Sequence, residues 1–311
     1  MLPSDLVPYA RHSCWSDPGP LGVRLDTLPC EAAALPRIVG GLVLHPLFAP
    51  AGSDTSEASL RTAVEILAAA VERDGRPLDQ PSEPGKRVIG TCRNYALLAR
   101  AILRQHGVPA RLRVGFADYF TPDFWEDHWV CEYRDGSSWR LLDAELTPQV
   151  CQRFSIPFDP IDVPRDRFLA AGPAWQALRH GERDPARFGV SVLGLSGLRF
   201  AAGSLLRDLA ALNMHEMMPW DYWGPTRDFR PGSAIPPEWL ARLDNLANAL
   251  ARAPATYNEV RGILAAHPWA ALTPTVLSFP EGKPVEVALA TVGKGTSPIK
   301  SPQSWRTLAN R

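Results

Sequence analysis

The 311-residue chain has no excess of either charge, because 33 lysines and arginines stand against 33 aspartates and glutamates. A surface without a net positive field has little to hold a phosphate backbone or an anionic bilayer, and no basic run interleaved with aromatics occurs, which argues against nucleic acid as a partner. Long apolar runs are also missing: nothing approaches the ~18 residues that read as a membrane span. The first residues, MLPSDLVPYARHSCWSDPG, lack the charged and then apolar segments of a secretory leader. The expectation is a cytoplasmic protein with no membrane partner. Cysteine is scarce and scattered. Cys14, Cys30, Cys92, Cys131 and Cys151 are odd in number and form no CxxC pair, which counts against a disulfide framework and a thiolate zinc site. The histidines show no paired ligand spacing, G-x-G-x-x-G and P-loop motifs are lacking, and no repeat is visible, so neither a metal nor any other cofactor is expected.

What is present is an ordinary globular composition, 45% hydrophobic and 21% charged, punctuated by 31 prolines. Helical periodicity predicts a helix over about 28–43 and another over 56–73, the second with Ser56 as its cap and Gly75 as its stop. Tyr95, Leu97, Leu98, Ala101, Ile102 and Leu103 give a strongly apolar helix that opens near Cys92 and ends at Gly107. The pattern then changes to alternation in ARLRVGFADYF, HWVCEYRD and SSWRLLDAEL, with RDGSS supplying a turn between the last two, so three successive strands follow the helix. LLRDLAALNMHEMMPW and PPEWLARLDNLANALARAPATYNEVRGILAAH read as further helical stretches, and the chain beyond Thr273 reads as a loose tail.

One constellation carries chemistry. Cys92 opens the helix, His128 stands at the start of the second strand and Asp143 ends the third. A hairpin of those strands would make His128 and Asp143 cross-strand neighbours, and a helix packed on the sheet could bring its N-terminus to the same edge. A thiol, a base and a carboxylate that orients the base are the parts of an activated nucleophile. The helix N-terminus and an imidazolium both favour the thiolate, and the Cys92 N–H could bind a developing oxyanion. The second oxyanion donor is left open. Arg93 and Asn94, beside the cysteine, are candidates to touch substrate. Trp125, with Glu126 and Asp127, precedes His128 and could form an aromatic, acidic entry. Asn213 and Glu216, on and just after an otherwise apolar helical stretch, are candidates to line a cleft.

GTCRNYALLARAILRQHGVPARLRVGF, followed by DHWVCEYRDGSSWRLLDAEL, resembles the core of the transglutaminase-like superfamily: a cysteine at a helix start, a G-V-P-A-R turn, a His-Trp strand and a W-x-x-x-D strand. The resemblance covers about Val88 to Leu146. It implies an α+β, papain-like fold, a helix packed on an antiparallel sheet with helical additions at both ends, and Cys92, His128 and Asp143 as a catalytic triad working through a thioester. Residues 1–80 would then be a helical extension, 81–165 the catalytic core, 166–272 a mainly helical region and 273–311 the tail. The expected activity is cysteine-dependent hydrolysis or acyl transfer on an amide or thioester, with a small-molecule or carrier-bound acyl substrate as partner. The competing expectation is a catalytically idle scaffold of the same fold, which would need none of the three triad residues.

Overall fold

The computed structural model describes residues 2–229 and 234–292. The chain is α+β, with 46% of the described residues helical and 18% in strands. By compactness it divides into two units that interleave along the sequence: the first holds residues up to Leu112 together with Val130–Val163, the second Arg113–Trp129 and Pro164–Ala290.

The first unit contains α1 (Gly22–Leu25), α2 (Leu35–Leu42), β1 (Val43–Leu44), α3 (Ala63–Arg73), β2 (Val88–Ile89) and α4 (Cys92–Gln105). β3 (Ala110–Thr121) and β4 (Phe124–Asp135) are long strands that run from one unit into the other, and β5 (Ser138–Leu142) and α5 (Pro148–Phe154) follow. α2 and α3 pack on α4. Ile38, Val39, Ile66, Leu67, Leu97, Leu98 and Ile102 are at most 1% exposed, and each such side chain contributes roughly 1.5–3 kcal/mol of burial. α4 ends as its sequence predicts: Gly107 is left-handed at φ 73°, its N–H bonds to Arg104 O and that of Val108 to Leu103 O, both at 2.9 Å, which is a Schellman closure.

The second unit adds β6 (Phe168–Ala170), α6 (Ala171–Arg179), β7 (Phe188–Val190), β8 (Leu195–Ser196), α7 (Leu198–Leu212), β9 (Asp221–Tyr222), α8 (Pro237–Ala251), α9 (Tyr257–Ala266), β10 (Thr275–Ser278) and β11 (Val285–Ala288). α6, α8 and α9 pack with α7 or with one another. Leu205, Leu206, Leu209 and Leu212 of α7 and Leu243, Leu246 and Leu250 of α8 are at most 1% exposed. The main sheet has the order β6-β3-β4-β7-β8, and β5 pairs with β4 as the expected antiparallel hairpin.

Four expectations change at the level of elements. The helix predicted over 28–43 is α-helical only over Leu35–Leu42, where Pro36 stands in its first turn. The helix predicted over 56–73 is broken. Leu60 is extended, and α3 is capped by Thr62 rather than Ser56, because Thr62 and Glu65 form a capping box in which Glu65 Oε2 accepts from Thr62 N at 2.8 Å. The helical reading of 205–220 is shifted: α7 starts earlier, at Leu198, and stops at Leu212, with Met214 left-handed at φ 65°. The stretch after Thr273 is not all loose, since β10 and β11 form an antiparallel ladder and β10 also pairs with β9. The tail beyond residue 292 lies outside the described residues. Thr62→Ala removes the α3 box and is expected to lower stability by ~1 kcal/mol in urea unfolding. An unchanged midpoint would show that α3 is not capped there.

Candidate active site

The path of the chain into Cys92 is held on several sides. β2 pairs in parallel with β1, Val88 opposite Val43 and Ile89 opposite Leu44, and Gly90 N then bonds to Leu44 O at 3.1 Å. Gly90 passes so close to its neighbours that a Cβ there would stand 2.8 Å from Val43 Cγ1 and 3.0 Å from Asn94 Cβ. Thr91 is the N-cap of α4. Its N–H and its hydroxyl both donate to Asn94 Oδ1 at 3.1 Å, and Asn94 N donates to Thr91 O at 2.8 Å. Cys92 is therefore the first helical residue, 9% exposed, where the free N–H groups and dipole of a long helix favour negative charge.

Arg93 and Asn94 are fully buried and hold the loop before α3. Asn94 Nδ2 donates to Leu60 O at 3.1 Å, Arg93 Nη1 donates to the same carbonyl at 3.3 Å, Arg93 Nη2 donates to Arg61 O, and the guanidinium lies 5.9 Å from the Trp15 ring. Tyr95 Oη donates to Val43 O at 2.9 Å. The residues that follow the cysteine thus form its mounting.

His128 lies in β4 and is 2% exposed. Aromatic rings surround it edge-on: Phe120 at 4.9 Å, Tyr119 at 5.9 Å and Phe168 at 6.5 Å between centroids. Asp143 directly follows β5 and is 1% exposed. Its N–H bonds to Pro160 O at 2.8 Å, and its Oδ1 accepts from Glu145 N at 3.0 Å. The β4–β5 register pairs Cys131 with Leu142. β5 ends at Leu142, so Asp143 is the first residue beyond that ladder.

Three of the other cysteines are unlike a nucleophile: burial pushes the Cys131 thiol up to about 12 and raises those of Cys14 and Cys151. No group of three or more His, Cys, Asp or Glu residues among the described residues could hold a metal ion, and none of the helices there is long and apolar enough to cross a membrane.

Trp125 stacks on Phe188, with centroids 5.4 Å apart and planes 4° off parallel, and Arg183 sits 5.1 Å from its ring. Both rings belong to the wall of an open cleft of about 710 Å³ in the second unit, with Asp118, Asp123, Asp166 and Arg167 also on the wall. Asn213 and Glu216 are not on that wall. They are 3% and 0% exposed, and Asn213 ends α7 with its Nδ2 donating to Leu209 O at 2.9 Å. Sequence reasoning did not single out the aromatic rings around His128; the YF pair at the end of ARLRVGFADYF was the available signal.

Residues 54–144 match the model of the transglutaminase-like superfamily, a span that includes Cys92, His128 and Asp143. That stretch is similar to a transglutaminase-like domain, and cysteine-based catalysis is the chemistry to which the similarity points. Among curated proteins none matches the chain. A solved structure from Cytophaga hutchinsonii, named as a candidate cysteine protease, is similar at 18% identity with a TM-score of 0.35, covering 54% of this chain and 46% of that one. The chain thus spans about half the length of that relative.

Gly90→Ala is expected to cost about 1–3 kcal/mol of stability through the crowding at Val43 and Asn94. Denaturant unfolding reads it, and an unchanged stability would mean the approach to Cys92 is not tightly set.

Proposed function

We propose that the protein is a cysteine-dependent acyl-transfer enzyme in which Cys92 is the nucleophile, His128 the proton carrier and Asp143 the group that orients His128. The observation that carries this reading is the mounting of Cys92 at the capped start of α4, where the helix N-terminus favours a thiolate. The superfamily match over the same residues supports it.

In this reading the Cys92 thiolate attacks the carbonyl carbon of an amide or thioester, and the Cys92 N–H donates a hydrogen bond to the developing oxyanion. Collapse of the tetrahedral adduct breaks the bond to the leaving amine or thiol, which takes its proton from the His128 imidazolium. The product left on the enzyme is a thioester at Cys92. His128, now neutral, removes a proton from water or from an amine, which attacks the thioester and frees the thiol. Asp143 holds the imidazole in the orientation both steps need. The aromatic rings around His128 keep water from competing for its hydrogen bonds. Trp125 and its cleft are the proposed holding site for part of a small-molecule or carrier-bound acyl substrate, while Arg93 and Asn94 act by keeping Cys92 in place. A buried Asn213 and Glu216 leave their part in substrate contact as a proposal, and turnover of Asn213→Ala at unchanged melting temperature is its test.

Brief treatment with iodoacetamide at mildly acidic pH, read by peptide mass mapping, tests the nucleophile. Cys92 is expected to be alkylated about 10-fold or more faster than Cys14 and Cys151, Cys131 is expected to stay unmodified, and His128→Ala should remove the Cys92 advantage. Equal rates at the accessible thiols, or an advantage that survives His128→Ala, would overturn the triad and favour an idle scaffold.

A further inference from the structure

His128 shares β4 with a second carboxylate that the proposed triad does not use. Asp127 immediately precedes it, and its side chain leaves the opposite face of the strand. There it meets α7. Ser204 Oγ lies 3.3 Å from Asp127 Oδ1 and accepts from Arg207 Nη2, also at 3.3 Å. The same hydroxyl lies 3.3 Å from Phe200 O, so its one proton is shared between the carboxylate and a helix carbonyl.

Arg207 is an unusual end to this chain of groups. It is 1% exposed, lies 5.7 Å from the Phe200 ring and 5.8 Å from the Tyr222 ring, and makes no ion pair among the described residues. Its Nε and Nη1 have no hydrogen-bond partner there. Gly203 leaves room for it, since a Cβ at that position would stand 3.0 Å from Arg207 Nη1. The next residue, Asp208, is already committed: Arg113 Nε and Nη2 donate to its two oxygens at 3.0 and 2.8 Å, and Val114 N donates to Oδ1 at 2.9 Å. The carboxylate left to feel the Arg207 charge is Asp127. Burial raises the Asp127 carboxyl to about 6, against the opposing pull of Arg207, then of His128 and the Ser204 hydroxyl.

We propose that Asp127, steadied by Ser204 and Arg207, is a positioning residue for His128, its carboxylate favouring the imidazolium that a Cys92 thiolate requires as its partner. This rests on the triad reading. Other charged groups near Asp127 are already engaged. Glu126, on the same strand, accepts from Thr121 Oγ1 at 2.7 Å and from Ser191 N at 3.0 Å, and on β3 Asp118 is paired with Arg167 at 2.7 Å. β7, paired with β4 at Phe188 and Gly189, brings no charge at those positions. A second carboxylate on the far side of the strand raises the proton affinity of the imidazole without competing with Asp143 for its ring nitrogen, and the two sites titrate as a coupled pair.

The experiment is a titration of His128 by NMR in the full chain labelled on imidazole carbon, with Asp127→Asn, Asp127→Glu and Ser204→Ala compared with the parent. Asp127→Asn is expected to lower the His128 midpoint by about half a pH unit, the size of one screened charge a strand's thickness away. Asp127→Glu should restore most of that fall, and Ser204→Ala should give a smaller fall in the same direction. A midpoint unmoved in Asp127→Asn would overturn the proposal. Should that variant not fold, Ser204→Ala decides, a fall supporting the proposal and an unmoved midpoint overturning it. The titration does not depend on activity, so a failed alkylation test at Cys92 removes the triad and not this measurement. A sound triad with an unmoved midpoint removes only the role of Asp127.

Discussion

A buried guanidinium must find acceptors, and much of this structure is arranged around that requirement. Arg93, Arg100, Arg104, Arg111 and Arg113 are all at most 3% exposed. Taking such a charge from water costs several kcal/mol unless hydrogen bonds replace the lost hydration. Arg93 takes the carbonyls of Leu60 and Arg61, Arg100 takes Ser13 Oγ at 2.6 Å, and Arg104 takes Ala110 O and Arg11 O. Three arginines of one helix thereby tie down two stretches of irregular chain, 11–13 and 60–61, and the start of β3. Arg111 bonds to Glu132 across the first unit at 2.7 Å while Trp139 covers it at 4.1 Å, and Arg113 forks onto Asp208 in the second. Helix and strands serve as rigid holders, and the loops follow the charges.

That arrangement bears on the chemistry because Cys92 sits at the end of the same helix. A thiolate is useful only if its position is fixed to a fraction of an ångström, and α4 is fixed by its Thr91–Asn94 cap at one end, its Schellman closure at the other and its arginines along its length. Cys131, fully buried and placed mid-strand, has its thiol pushed up by burial to about 12. In the proposed reading it is the helix start, with its free N–H groups, that sets Cys92 apart from a thiol held protonated in the sheet.

The sequence was informative where a pattern is short-range. Gly107 as a helix stop, the hairpin of β4 and β5 and the order of Cys92, His128 and Asp143 depend on neighbours along the chain or on turn chemistry. The alternation of ARLRVGF makes it a strand without saying where its arginines face. Arg111 and Arg113 point into protein, because Glu132 and Asp208 wait there. Nothing in a local window announces a partner 95 residues away. Thr62 was missed as the cap of α3 because Ser56 offered the same chemistry six residues earlier, and only the extended turn at Leu60 separates them. The β10–β11 ladder was missed because two short strands in a proline-rich stretch carry too little periodicity to register.

By itself, then, the sequence determined the position of a thiol at a helix start and the order of three residue types, since each is written in local spacing, and its resemblance to a transglutaminase-like core implied the α+β class. Only the tertiary structure decided that Arg93 and Asn94 hold a loop, that Trp125 stacks on Phe188 beside a cleft, and that Asp127 meets Ser204 and Arg207. Those facts depend on which distant groups share a low-dielectric interior, where a charge is governed by its neighbours in space rather than along the chain.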